Sequence, residues 1–191
     1  MAFKTWKIDT AHSNVSFLAR HMLVSKVRGS FTRWSGGLEF AEAVPRAGRV
    51  SVCIDASSID TQVAERDAHL RSIDFLDAKA YPFITVESAA VEAIGPRQLR
   101  VSGDLTIRGV TREVILDVEY GGRMRDPRGV ERIGFSARTS ISRKAFGITF
   151  NQVLATGDFV VGDKLEILID VEAVEAAPAE VTPPERAANE P

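Results

Sequence analysis

Apolar and polar residues alternate with a period of two along most of this chain, and no other feature constrains its fold as strongly. In the clearest run, from Leu99 to Arg108, the five odd-numbered residues are apolar or glycine and the five even-numbered residues are polar. Similar alternation recurs at 15–21, 50–55, 114–120, 133–141 and 165–172. Because successive side chains of a strand point to opposite faces, each segment is predicted to be an antiparallel strand with one buried face.

Strands of this kind have to bury their apolar faces against one another. About eight to ten of them pack as a sandwich or close into a barrel, and their length favours closure. We therefore predict an all-β, antiparallel closed β-barrel of about eight strands. Turns are predicted at Gly36–Gly37, Gly95–Pro96, Arg108–Gly109, Gly121–Gly122, Asp126–Gly129 and Gly162–Asp163.

One stretch, residues 57–80, interrupts the alternation. Its closely spaced charged residues predict a long connection with one or two short helical turns, capped at Asp60 or Thr61.

The charges are nearly balanced, with 24 basic and 26 acidic residues and a formal net charge of -2, which argues against general nucleic-acid binding. The net negative charge comes from residues 175–191, which contain four glutamates, one arginine and four of the eight prolines. We predict one domain over residues 1–174 and a disordered Pro/Ala/Glu-rich tail over residues 175–191.

Several kinds of site and location are excluded or disfavoured. The single cysteine excludes an internal disulfide, and the three histidines lack metal-site spacing, so neither a metal nor a cofactor is predicted. No apolar run approaches the roughly 18 residues of a membrane span. Residues 1–7 lack the apolar segment of a secretory signal, so a cytoplasmic location is predicted. Arg143 and Lys144 are expected to be solvated.

The apolar parity also predicts which residues face the barrel interior. They are Phe17, Ala19, His21, Phe31, Phe83, Leu116, Phe135, Ile141 and Phe146. Two interpretations stay open: these side chains fill the barrel completely, or they line an apolar tunnel for a hydrophobic ligand. His21 is either a hydrogen-bonded core residue or a ligand-binding or catalytic group.

Blocks along the whole chain resemble the YceI-like family. They include Trp6–Asp9, Phe17–His21, Ser58–Thr61, His69–Ser72, Tyr81–Phe83, Gly103–Thr111 and Ser142–Ile148. The resemblance covers residues 4–174 in one continuous order. It implies a lipocalin-like barrel that binds a polyisoprenoid or similar long-chain amphiphile, such as an isoprenoid quinone, a prenyl phosphate or a fatty amide.

The long connection is predicted to hold the head group of such a ligand. Arg66, His69 and Arg71 supply cationic donors beside Phe75, and arginine binds phosphate or quinone oxygens well. The alternative is structural: Asp67 and Arg71 are spaced i, i+4 with Asp74 nearby, which fits an ion-pair network that holds the connection in place.

Three functions are compatible with these patterns. The first is a non-catalytic carrier or store for an isoprenoid lipid, with that hydrophobic lipid as its small-molecule partner. The second is an enzyme that uses the barrel as a reaction chamber, with His21 or the Arg66, His69 and Asp74 block as acid–base groups. The third is a fully packed stress or interaction module. Exposed strand edges make a homodimer plausible.

Overall fold

The structure is a computed structural model that describes residues 4–21, 25–40, 48–151 and 161–176; the side chain of His21 lies outside the described part. The strands in these ranges are β1 (Lys4–Ile8), β2 (Asn14–His21), β3 (Ser25–Phe31), β4 (Trp34–Phe40), β5 (Arg49–Asp55), β6 (Ile59–Asp60), β7 (Phe83–Ala93), β8 (Gln98–Ile107), β9 (Val110–Arg125), β10 (Glu131–Ser142) and β11 (Val161–Glu175). The helical elements are α1 (Ala64–Arg71) and the 3-10 turns Ala56–Ser58 and Arg143–Phe146.

The strands form one antiparallel sheet that closes on itself. The ring runs β1-β4-β5-β7-β8-β9-β10-β11, and β11 pairs back with β1. These eight strands confirm the prediction of a closed antiparallel barrel. β2, β3 and β6 extend the sheet from the first part of β11, where residues 161–170 pair with β2, whereas residues 173–175 pair with β1.

The alternation in the sequence corresponds to the two faces of the barrel wall. In β8, Leu99 and Leu105 are buried while Arg100 is exposed. The turn from β8 to β9 occurs at Arg108 and Gly109, which have φ angles of 52° and 71°. Two successive positive φ angles are typical of the type I′ turn that joins twisted strands. This hairpin is therefore as predicted.

Three predicted turns are wrong because their residues lie within strands. They are Gly36–Gly37 in β4, Gly121–Gly122 in β9 and Gly162–Asp163 in β11. A Cβ atom at Gly36 would lie 2.6 Å from the carbonyl oxygen of Ser51, so this glycine permits a close approach of β4 and β5. Gly121 is the extra residue where the register of β9 and β10 shifts, so it accommodates a β-bulge.

The connection from β5 to β7 covers one end of the barrel, which we call the helix end. It contains α1, which begins at Ala64; its N-cap residue, Val63, makes no side-chain capping bond, so the predicted cap is wrong. Asp60 instead accepts a hydrogen bond from the backbone of Gln62 at 2.7 Å. The opposite end, which we call the turn end, carries the β7–β8 and β9–β10 turns, the end of β4 and the start of β5.

The predicted domain boundary after residue 174 falls within β11. The strand ends at Glu175, and the backbone N–H of Ala176 donates to the carbonyl of Thr5 at 2.9 Å. The rest of the predicted tail, residues 177–191, lies outside the described residues. In the described ranges no helix has the length and apolar character needed to cross a bilayer.

Candidate ligand-binding site

An apolar cavity of about 280 Å³ lies inside the barrel. Every strand of the ring contributes to its lining, and the atoms that face it are apolar. Inward side chains from successive strands meet along the barrel axis, and small residues among them leave space between the larger ones. The small lining residues include Ala19, Gly103 and Ala137. The described residues therefore do not form a fully packed interior.

Two hydrophobic clusters surround the cavity. The cluster at the turn end is built on Trp6, Leu38 and Ile133, and the rings of Phe40, Tyr120 and Phe135 pack around it with centroids 5.2 to 5.4 Å apart. The cluster at the helix end is built on Phe17, Ile54, Phe75, Leu76, Ile141, Phe146 and Ile148. Trp34 and Val52 pack against both clusters and line the cavity between them.

Most of the residues predicted to face a ligand lie on this lining. They are Phe17, Ala19, Phe31, Phe75, Leu116, Phe135, Ile141 and Phe146. For His21, the described part of the structure includes the backbone at the end of β2 but not the side chain.

Phe83 was predicted to face inward, and this prediction is wrong. Its side chain is 46% exposed, whereas the next residue, Ile84, is 5% exposed and lines the cavity. β7 begins at Phe83, so the inward parity of this strand starts one residue later than expected.

Arg66 and Arg71 do not reach the cavity, because their guanidinium groups bind the connection itself. Arg71 donates from Nε to the carbonyl of Ser57 at 2.7 Å and from Nη2 to that of Ile59 at 2.9 Å. Arg66 donates to the hydroxyl and the carbonyl of Thr61 at 2.7 and 2.8 Å. These hydrogen bonds favour the structural interpretation of both arginines.

The predicted pairing of Asp67 with Arg71 is not formed. Asp67 is 6% exposed, and its Oδ1 accepts from the backbone N–H and the hydroxyl of Thr61 at 2.9 and 2.5 Å. The connection is thus held by hydrogen bonds to its own backbone and to Thr61, rather than by the expected ion pairs.

His69 lies on the outer side of the helix end. Its Nε2 is 2.8 Å from Oδ2 of Asp74, and its ring packs edge-on against Phe75 and Phe150, with centroids 5.0 Å apart in both cases. Phe75 lines the cavity, whereas His69 does not. His69 therefore packs against Phe75 on the side of that ring away from the cavity.

Arg143 belongs to the site although it was expected to be solvated. It is 2% exposed, lines the cavity and donates to four carbonyl oxygens at 2.8 to 3.2 Å, those of Ile148, Phe150, Val161 and Gly162. Burial lowers the pKa of its guanidinium, and the charge of Asp163 opposes that shift. The only sequence signal for this role is its place in the Ser142–Ile148 block of the family resemblance.

A polar cluster near the turn end gathers Asp9, His12, Glu172 and Arg132. His12 Nδ1 is 2.9 Å from Oδ2 of Asp9, and Arg132 donates to Asp9, Glu172 and Asp126. Hydrogen bonds from His12 and Arg132 hold the pKa of Asp9 below its usual value. The hydrogen bond to Asp9 is in turn the largest of the carboxylate contacts that raise the pKa of Arg132. His12, Asp9 and Glu172 are close enough for a metal ion, but Arg132 already donates hydrogen bonds to both carboxylates.

The closed antiparallel wall and the apolar cavity inside it define the class of lipocalin-like barrels with an internal cavity. The family model described as "YceI-like domain" matches residues 6–173, so this chain belongs to the YceI-like family.

Individual relatives agree with this assignment. Protein YceI of Escherichia coli O157:H7 is 38% identical over 172 residues, covering 89% of this chain and 86% of that protein. The crystal structure of Burkholderia cenocepacia BcnA superimposes with a TM-score of 0.77 at 26% identity, covering 86% of this chain and 98% of that one. A polyisoprenoid binding domain from Saccharophagus degradans, implicated in plant cell wall breakdown, has a TM-score of 0.66 at 17% identity, covering 90% and 98%.

Proposed function

We propose that this protein binds a polyisoprenoid or a similar long-chain amphiphile in the barrel, without catalysis, and so transports or stores it. The observation that carries the proposal is the cavity inside the barrel, whose facing atoms are apolar. The name of the Saccharophagus degradans domain indicates which ligand class to test first.

The energetics favour a long chain over a small apolar molecule. Each buried CH₂ contributes about 0.8 kcal/mol, so ten of them contribute about 8 kcal/mol. Association costs roughly 4 to 15 kcal/mol in lost freedom of motion. A ligand held by this wall alone therefore needs many buried carbons, as the prenyl chains of isoprenoid quinones and prenyl phosphates and the acyl chain of a fatty amide provide.

The geometry gives less support to catalysis. General acid–base chemistry needs a titratable group within hydrogen-bond reach of the reacting atom. Among the described residues, none presents a polar atom to the cavity, and His69, a proposed acid–base group, is bound to Asp74 outside it. A His69→Gln variant should retain ligand binding.

Extraction of the purified protein with organic solvent, followed by mass spectrometry, tests the proposal. We expect a prenyl or acyl lipid in the extract. The proposal fails if the extract holds no lipid and the protein also binds no added prenyl phosphate, isoprenoid quinone or fatty amide.

Fluorescence provides a site-specific readout because Trp34 lines the cavity and Trp6 does not. Adding a quinone should quench the emission of Trp34, and a Trp34→Phe variant should lose this signal while still yielding the extracted lipid. Ala137→Leu adds bulk to the cavity wall and should weaken binding at least about tenfold. The matched control is Ala68→Leu on the exposed face of α1, which should bind as the parent does.

Homodimerisation and a cytoplasmic location remain predictions from the sequence. Light scattering and cell fractionation test them.

A further inference from the structure

The volume of the cavity limits how much of a ligand the barrel can enclose. The cavity measures about 280 Å³. An apolar cavity of about 150 Å³ in another protein holds one benzene molecule, which has six carbons. On that scale the cavity of this barrel holds about eleven carbons, close to the ten of two isoprene units. A third isoprene unit has to lie outside it.

The head group of an amphiphile takes up none of this volume. The atoms that face the cavity are apolar, and burying a charged group without a hydrogen-bond partner is strongly unfavourable. A phosphate therefore stays outside, and the chain alone fills the cavity. Each buried CH₂ strengthens binding roughly fourfold, whereas carbons that remain exposed contribute little. Affinity should therefore rise with chain length only until the cavity is full.

Leu116 lies at the middle level of the barrel, between the two hydrophobic clusters. On the same strand, β9, Val114 packs against the cluster at the helix end and Val118 packs against the cluster at the turn end. Leu116 is the inward residue between these two valines, and it lines the cavity. Its side chain therefore limits the cavity at the level where the two clusters are separated.

The neighbours of Leu116 in the sheet are poorly placed to substitute for it. Its diagonal neighbours are Gly103 on β8 and Ala137 on β10, and both line the cavity. Its direct partner on β8, Val101, packs against the cluster at the turn end. Truncating Leu116 should therefore enlarge the cavity, because glycine and alanine have no side chain that can fill the space.

We propose that the barrel encloses about two isoprene units of its ligand's chain, and that Leu116 sets this limit. The proposal rests on the proposed function, because it concerns the same cavity. It makes the protein selective for the first part of the chain: a chain of one unit is distinguished from a chain of two, whereas chains of three and four units bind alike.

Prenyl phosphates with one, two, three and four isoprene units test the limit, because they share a head group and differ only in chain length. Dissociation constants are measured on the full-length protein, below micelle-forming concentrations, from the emission of Trp34, which lines the cavity. In the parent, the second unit should strengthen binding at least about thirtyfold and the fourth unit less than about threefold. A gain of threefold or more from the fourth unit overturns the limit.

Variants of Leu116 should move the limit in both directions. Leu116→Ala makes room for about three more carbons, so the gain from the third unit should be at least about tenfold larger than in the parent. Leu116→Phe fills part of the cavity and should reduce the gain from the second unit at least about tenfold. The phenylalanine variant decides the matter if the alanine variant does not fold.

Ile115→Ala is the matched control. Ile115 precedes Leu116 on β9, and its side chain is 53% exposed. This variant should reproduce the affinities of the parent for all four phosphates. If the variants of Leu116 reproduce them as well, Leu116 does not set the limit and the assignment is overturned. If the parent binds none of the four phosphates, the proposed function itself fails.

Discussion

Replacing Arg143 with methionine should destabilise the barrel strongly while preserving the volume of the side chain. The guanidinium donates to four backbone carbonyls. One of them, the carbonyl of Val161, keeps a second donor in Asn151 at 2.7 Å, so the variant leaves three without their donor. A buried acceptor left without a donor costs about 1 to 3 kcal/mol. The bond to Ile148 is buried and those to Phe150 and Gly162 are partly buried, so the total is at most roughly 3 to 9 kcal/mol.

Part of this loss is recovered. The parent protein bears the desolvation penalty of a buried charge, which amounts to several kcal/mol, and the methionine variant does not. We expect a net decrease of about 3 kcal/mol in the free energy of unfolding. With a slope of about 2 kcal/mol per molar urea, the unfolding midpoint should fall by roughly 1.5 M.

Urea unfolding followed by circular dichroism measures this shift. Arg138→Met is the control, because this exposed arginine should change the free energy of unfolding by less than about 0.5 kcal/mol. If the two variants have the same midpoint, the hydrogen bonds of Arg143 do not stabilise the fold and the reasoning is refuted.

Three further variants test other contacts. Asp67→Ala removes the acceptor from the N–H and hydroxyl of Thr61 and should lower the free energy of unfolding by about 2 kcal/mol in urea titrations; an unchanged midpoint contradicts this. The depressed pKa of Asp9 stabilises the fold above the carboxyl's ordinary pKa, and this stabilisation is lost as the pH falls through the folded-state value. Asp9→Asn should therefore flatten the decline in thermal stability between pH 5 and pH 2 measured by calorimetry, and parallel pH profiles count against it. Gly103→Ala places a Cβ 2.5 Å from the carbonyl oxygen of Glu87 and should lower the free energy of unfolding by about 2 kcal/mol. A variant that melts at the same temperature as the parent contradicts this prediction.

Alternation predicts the barrel because each strand of the wall has one apolar and one solvated face. The same rule fails where backbone geometry, rather than side-chain polarity, decides the structure. Glycine pairs mark turns in most sequences, but Gly36 lies where β4 and β5 approach closely, and Gly121 forms a bulge. Neither role can be read from the hydrophobic pattern, so both glycines were predicted to lie in turns.

The lining of the cavity is predictable from parity, whereas the roles of the charged residues are not. Arg71 and Arg143 look like solvated or ligand-binding cations in the sequence, yet backbone carbonyls accept their hydrogen bonds. The acceptors are backbone carbonyls, which every residue type carries, so no side-chain pattern in the sequence predicts these bonds. Phe83 was placed on the wrong face because a one-residue error in where a strand starts reverses its parity.

The pairing of β1 with β11 closes the ring and therefore determines when the cavity forms. The first strand of the barrel pairs with the last, so the wall is incomplete until nearly the whole chain has been synthesised. Contacts this distant in sequence form slowly, on the order of milliseconds to seconds. During that interval β1 and β10 present unpaired edges and the apolar residues of the future cavity are open to solvent. A lipid present at that stage can be enclosed as the barrel closes, without having to enter a finished cavity.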